Sequence, residues 1–154
     1  MSFTSPISIN FVYIRESTES FKITAMTTII ICLFIATLLP ILTKVPLAIA
    51  MGKEQGGYNN RLPREQQKKL VGFGARAKGA HENSFEALIM YTPGVLAVIA
   101  TNSIGTVTEY IAVVFVVARV GYLLAYWYDA HLLRSAFWAV GFFASLSLIW
   151  LAIP

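Results

Sequence analysis

The chain has 154 residues, of which 56% are hydrophobic and only 13% are charged, and its mean hydropathy is +0.65. Soluble domains carry about a quarter charged residues, so this composition excludes an ordinary soluble domain and indicates an integral membrane protein. The net charge of +4 does not indicate nucleic-acid binding, because the Lys and Arg residues lie beside apolar segments, as they do at membrane boundaries. The single cysteine excludes a disulfide framework, and the sequence predicts no metal site.

Four apolar segments are long enough to cross a bilayer, which needs about 20 residues. The first has no charged residue between Lys22 and Lys44, and Pro40 lies near its end. The sequence therefore predicts an all-α integral membrane protein, a bundle of four transmembrane helices in one domain over residues 21–154, preceded by a tail over residues 1–20. The predicted spans are residues 21–43, 74–101, 107–128 and 132–153.

A polar connector over residues 44–73 separates the first two spans and contains several glycine, asparagine and proline residues typical of turns. Eight of the twelve Lys and Arg residues fall between Lys44 and Lys78. Because basic residues concentrate in cytoplasmic loops, we expect this connector and the turn at residues 129–131 to be cytoplasmic, and both termini to lie on the other side. A site for a ligand or a lipid headgroup is the alternative explanation of the charge.

Two spans carry polar residues at the same helical spacing, which places each set in one stripe along its helix. An arginine inside an apolar span needs a polar or charged partner, and Arg119 lies in such a span. We expect Glu86 to form a structural ion pair with it, and Asp129 is the weaker candidate. The stripe of the second span comprises Arg76, Gly79, Asn83 and Glu86, and that of the third comprises Arg119, Tyr122, Tyr126 and Asp129.

The fourth span begins with Arg134 and Ser135, and Trp138 lies one helical turn after Arg134. An arginine and a tryptophan at this position are typical of an interfacial anchor. All these polar groups belong to one membrane face, where they could simply form a network that fixes helix packing. They also suit a zwitterionic, peptide-like ligand, since arginine binds carboxylates, glutamate binds amines and asparagine binds amides.

Three motifs in order along the chain carry a family resemblance. Arg76 is followed by Ala80-His81-Glu82-Asn83-Ser84-Phe85-Glu86, then come Arg119, Tyr122 and Tyr126, and then Arg134-Ser135 with Trp138. In these residues the chain resembles the MAPEG family, the membrane-associated proteins in eicosanoid and glutathione metabolism. The connector from Gly57 to Glu65 looks like that of bacterial members. The resemblance covers residues 21–154 and implies a homotrimer of four-helix subunits in a bacterial inner membrane, with glutathione bound between subunits.

The resemblance also implies residue roles and an activity. Arg134 and Ser135 would be catalytic, because the arginine favours the thiolate of glutathione and the serine donates a hydrogen bond to its sulfur. Arg119 would be structural. The implied activity is that of a glutathione transferase or peroxidase acting on a lipophilic small molecule from the bilayer. The residues expected to contact glutathione are Asn83, Glu86, Tyr122, Tyr126, Arg134, Ser135 and Trp138.

The chain departs from the family pattern at three positions. Glu82 stands where several members have a basic residue that holds a ligand carboxylate, and Gly79 stands where arginine is common. Trp138 replaces a tyrosine. These departures motivate the alternative of a non-catalytic membrane protein that uses the same scaffold for another ligand or partner. A four-span cation efflux pump is a third hypothesis, but it needs a free carboxylate in the membrane, and we expect Arg119 to neutralise Glu86.

Overall fold

The computed structural model describes the backbone from Pro6 to Pro154 and the side chains from Thr18 onward, so residues 1–5 lie outside the described part. Within this described part, four helices are long and apolar enough to cross a membrane, one of them over Thr18–Gly52, in agreement with the predicted number of spanning helices. A short fifth helix lies in the connector. The helices are α1 (Pro6–Gly52), α2 (Pro63–Lys68), α3 (Gly72–Ala100), α4 (Thr106–Trp127) and α5 (His131–Leu151).

Helix α1 is longer than the predicted first span at both ends. Its 47 residues extend about 70 Å, against about 30 Å for the hydrocarbon core of a bilayer. No glycine or proline lies between Pro6 and Pro40, so nothing interrupts the helix over residues 6–20, part of the predicted tail. Pro40 and Pro46 lie inside the helix, which continues to Gly52 and so includes the first residues of the predicted connector.

The four long helices pack around one apolar core. Tyr91 of α3 stacks on Phe115 of α4, with ring centroids 3.8 Å apart. Helices α3 and α5 approach closely at Gly94, where an added Cβ would lie 2.9 Å from the Cβ of Leu148. Glycine is therefore needed at this crossing, because a larger side chain would separate the two helices. The buried core residues are Ile29, Cys32, Ala36, Tyr91, Val95, Val98, Ala112, Phe115, Ala144, Leu148 and Ala152.

The connector between α1 and α3 is held by its own side chains. The Gln66 amide donates to the carbonyls of Met51 and Gly57 at 3.1 and 2.8 Å, and its oxygen accepts from the backbone N–H of Asn59 at 2.9 Å. The Asn59 side-chain oxygen accepts from the backbone N–H groups of two following residues, Arg61 and Leu62. These bonds satisfy backbone groups that no helix pairs, and they give the loop a defined shape.

Short turns join the last three helices, each with one residue in the left-handed region, Asn102 (φ 55°) and Asp129 (φ 63°). The start of α3 contacts the turn between α4 and α5, because Arg76 Nη1 lies 3.4 Å from the Asp129 carboxylate. The connector and the Tyr128–Ala130 turn therefore lie at the same end of the bundle, called the connector end below. The Asn102 turn lies at the opposite end.

Candidate functional site

The polar stripes of α3 and α4 face each other in antiparallel order. Arg119 contacts Asn83 in the halves of the two helices that lie nearer the connector end, and Arg76 contacts Asp129 at that end. Between these pairs, Tyr126 packs against Gly79. The helical spacing predicted which residues share a stripe, and the structure shows that each stripe is the partner of the other.

The predicted ion pair between Arg119 and Glu86 is replaced by a relay through Asn83. Arg119 Nη2 donates to Asn83 Oδ1 at 2.8 Å, and Asn83 Nδ2 donates to Glu86 Oε2 at 2.6 Å. The described side chains form three other ion pairs, two of which involve Arg76 and Lys78. An amide fits between a cation and an anion because it has both an acceptor and donors. Arg119 is only 2% exposed, so this acceptor offsets part of its desolvation.

A series of aromatic rings and guanidinium groups continues from Arg119 toward the connector end. The Arg119 guanidinium lies 4.2 Å from the ring centre of Tyr122, and that ring meets Tyr126 edge-on at 5.5 Å. Arg134 of α5 lies 4.6 Å over the Tyr126 ring. Such cation–π contacts hold flat guanidinium groups in a fixed orientation. The series brings together three residues expected from the sequence to contact a ligand: Tyr122, Tyr126 and Arg134.

A cavity of about 80 Å³ opens between α3, α4 and α5 beside the relay. One part of its wall is polar, formed by Asn83, Glu86 and Arg119, and most of the rest is apolar or aromatic. Trp138 belongs to this wall and stacks on Phe142 with ring centroids 5.1 Å apart. The wall thus joins a charged region to an apolar one. The remaining lining residues are Ala87, Met90, Phe115, Gly141 and Ser145.

Comparison with protein families identifies the family of this chain. The model of the MAPEG family matches residues 28–154, nearly the whole chain. The chain belongs to the MAPEG family. No curated protein and no solved structure matches it. Four spanning helices together with this membership make it a multi-pass membrane protein of that family.

In this MAPEG protein Ser135 lies apart from the cavity wall. Its hydroxyl donates to the carbonyl of His131, one turn earlier on α5, at 3.1 Å, and the residue is exposed. A serine in this arrangement satisfies its donor on its own helix. To donate to a ligand sulfur, the hydroxyl would have to give up its hydrogen bond to the His131 carbonyl. Ser135 is therefore the predicted site residue that the structure joins least to the others.

A second cavity, of about 320 Å³, lies on the neighbouring face of α3, where that helix meets α1 and α2. Two basic residues of the predicted connector line it, Lys44 and Arg64. His81 also lines it, and its Nδ1 lies 2.9 Å from the Pro40 carbonyl of α1. Only the connector's excess of positive charge hinted at these residues, and that signal could not distinguish them from the other basic residues. The other lining residues are Pro63, Gln67, Glu82 and Phe85.

Charges on the outer face of α3 are already compensated within the chain. Lys78 Nζ lies 2.9 Å from the Glu82 carboxylate, one helical turn away. Arg134 forms no ion pair with any side chain in the described part of the protein, and neither do Lys44 and Arg64. Among the described residues no group of His, Cys, Asp and Glu could hold a metal ion. The charges of these three cations therefore remain available to an anion beside the two cavities.

Proposed function

We propose that this MAPEG protein binds a small thiol of the glutathione type at the connector end and transfers it to lipophilic electrophiles from the bilayer. The observation that carries the proposal is the position of Arg134. Its guanidinium lies over Tyr126, has no carboxylate partner among the described residues, and belongs to the series that ends in the Asn83–Glu86 relay. Family membership supports the choice of thiol ligand.

The chemistry follows from a positive charge beside the ligand sulfur. A nearby guanidinium favours the thiolate over the thiol, and the thiolate is the nucleophile. In conjugation, the sulfur forms a bond to an electrophilic carbon while a leaving group departs with its electron pair. In peroxide reduction, two thiols and one hydroperoxide give a disulfide, an alcohol and water. Arg134 has the same role in both reactions, so the described residues do not favour one over the other.

The rest of the ligand has partners of suitable charge. The Glu86 carboxylate suits an amine and the Asn83 amide suits a peptide group, and both line the first cavity. Ligand carboxylates suit Lys44 and Arg64 in the second cavity. The outer face of α3 is exposed and lies between the two cavities. A ligand that reaches both cavities would cross this face, so a neighbouring subunit is needed to enclose the ligand. This geometry supports the homotrimer that the family resemblance implies.

The test is a titration of the detergent-purified protein with glutathione, followed by thiolate absorbance, and then a conjugation assay with a generic electrophile. We expect Arg134→Ala to abolish the thiolate signal and to lower the conjugation rate by about 100-fold, as for removal of one preorganised charged donor. Lys22→Ala, which removes a cation near the opposite end of α1, should leave both unchanged. Absence of any glutathione binding at saturating concentrations would refute the proposal.

Two observations favour a non-catalytic membrane protein on the same scaffold as the second candidate. Lys78 is engaged by Glu82, and Tyr126 occupies the space beside Gly79 where family members often carry arginine. The ion pair uses the charge of Lys78, and the Tyr126 ring leaves no room for an arginine at position 79. Less positive charge is therefore available to bind a peptide with two carboxylates. Binding of an anionic thiol or peptide without turnover would establish this candidate, whereas a normal conjugation rate would exclude it.

We further propose that the protein lies in a bacterial inner membrane with the connector and the turn at residues 129–131 in the cytoplasm. The cluster of basic residues from Lys44 to Lys78 supports the sidedness, and the resemblance of the connector to that of bacterial members supports the choice of membrane. Single cysteines at Asn60 and Asn102, in a Cys32→Ala background, provide the test with a membrane-impermeant maleimide added to intact cells. We expect labelling of the Asn102 position alone, and labelling of the Asn60 position would reverse the assignment.

A further inference from the structure

The connector forms a concave surface separate from the two cavities described above. A basin of about 620 Å³ lies within the loop that joins α1 to α2. Gln66 fixes its shape through three hydrogen bonds, and Gly56 and Gly57 adopt φ values of 91° and 73° that favour glycine. The basin therefore lies in an ordered part of the connector, at the end of the bundle where the chain leaves α1 and re-enters α3.

Four charged side chains line the basin, two basic and two acidic. Glu65 is engaged outside this set by Lys68, whose Nζ lies 2.7 Å from its carboxylate. Arg61, Lys69 and Glu54 form no ion pair within the described residues. The charges left for a ligand are thus two cations and one carboxylate, a combination that matches a phosphate and an ammonium group in one molecule.

The basin also has an apolar border that a soluble ligand would not need. Leu62 lines it and is 60% exposed, and Tyr58 lines it and is 41% exposed. Val71 and Phe73, at the start of α3, are also exposed. Both ends of the connector are attached to membrane-spanning helices, so the loop stays near the bilayer surface. Exposed apolar residues this close to the bilayer surface are stabilised by contact with the region between the lipid headgroups and the acyl chains.

We propose that this basin binds the headgroup of a phospholipid that carries both a phosphate and a primary ammonium, as phosphatidylethanolamine does. Arg61 and Lys69 hold the phosphate, Glu54 accepts hydrogen bonds from the ammonium, and Leu62 contacts the start of an acyl chain. A choline headgroup carries no N–H to donate, and a glycerol headgroup carries no cation. The connector contains five basic residues and two acidic ones over residues 53–73, which adds attraction to a negatively charged leaflet.

The test uses native mass spectrometry of the full chain in mixed micelles with equimolar phosphatidylethanolamine, phosphatidylcholine and phosphatidylglycerol. We expect the ethanolamine lipid to be retained about fivefold over the choline lipid, because only the primary ammonium donates a hydrogen bond to Glu54, and fivefold is the effect of about one such bond. Glu54→Gln should remove the preference for the ethanolamine lipid over the glycerol lipid. Lys69→Gln should lower the retention of both by about fivefold.

Two matched variants on α1 control for general charge effects, Glu19→Gln and Lys22→Gln. Neither should change the retention of any lipid, and circular dichroism should show that all four variants keep the helical content of the wild type. Equal retention of the ethanolamine and choline lipids by the wild type would overturn the proposal. So would a wild-type preference for the glycerol lipid, which indicates a general basic surface, or losses in the controls as large as those in the basin.

Discussion

The Tyr126 side chain occupies the space that any side chain on Gly79 would need. A Cβ built on Gly79 would lie 2.8 Å from Tyr126 Cζ and would overlap the hydroxyl. The same ring carries the Arg134 guanidinium on one face and meets Tyr122 at its edge. Gly79 therefore leaves room for the Tyr126 ring, and in this way it fixes the position of the tyrosine that contacts Arg134.

We predict that Gly79→Ala displaces the Tyr126 ring and with it Arg134. Forcing one methyl group into a packed contact costs about 1–3 kcal/mol of unfolding free energy when the neighbour cannot move away. Reversible unfolding in mixed micelles measures this cost, and glutathione titration measures any accompanying loss of affinity. Gly52→Ala is the matched control, since nothing lies within 4 Å of a Cβ added there. Equal stability of the two variants would show that Tyr126 is free to move.

We predict that Asn83→Ala destabilises the protein more than Glu86→Gln does. Removing the Asn83 amide takes away the acceptor that lies 2.8 Å from buried Arg119 and leaves it the Asn83 carbonyl at 3.4 Å, so the change should cost about 2 kcal/mol. Glu86→Gln keeps an acceptor for the Asn83 amide and should cost less than about 1 kcal/mol. Chemical unfolding of both variants and of the double variant provides the comparison. A larger loss of stability in Glu86→Gln than in Asn83→Ala would indicate that Arg119 pairs directly with Glu86.

We predict that Glu82→Arg increases the affinity for glutathione. The change releases Lys78 from its ion pair and adds a third cation to the lining of the cavity that already contains Lys44 and Arg64. One additional charge-assisted contact to a carboxylate should lower the Kd about tenfold. Isothermal titration of the purified protein measures the Kd directly. Glu65→Arg breaks a comparable exposed pair with Lys68 and should leave the Kd unchanged. A similar gain in both variants would mean that only net charge matters.

We predict that Gln66→Ala loosens the connector without affecting the transmembrane bundle. The variant loses three hydrogen bonds to backbone groups around the loop, each worth about 1 kcal/mol. Limited proteolysis in detergent should cut the connector of this variant several times faster, while the four long helices stay intact. Gln55→Ala removes an exposed glutamine of the same loop and should be cut at the wild-type rate. Unchanged cleavage of Gln66→Ala would show that the glycines alone fix the loop.

The length of the segments without charged residues and the helical spacing of polar residues were sufficient to predict much of the fold. The interval from Lys22 to Lys44 identified the first span, and the stripes containing Asn83 and Arg119 identified the helix faces that meet. These inferences succeed because a segment in hydrocarbon must pair its own backbone groups, and an apolar segment of about 20 residues does so as a helix. The ends of α1 were less predictable, since a helix continues past the membrane boundary until a residue such as Gly52 terminates it.

The sequence by itself determined that Asn83, Glu86, Arg119 and Arg134 belong near one membrane face, because all lie on helices whose order and direction follow from short turns. Only the tertiary structure decided which groups touch. It placed Asn83 between Arg119 and Glu86, laid Arg134 over Tyr126, and brought Lys44 and Arg64 to one cavity. Spacing gives the direction of a side chain within its own helix. Packing at residues such as Gly79 and Gly94 sets the distance between helices and the rotation of each helix about its axis. That distance and rotation decide which of several polar groups allowed by the spacing a side chain contacts.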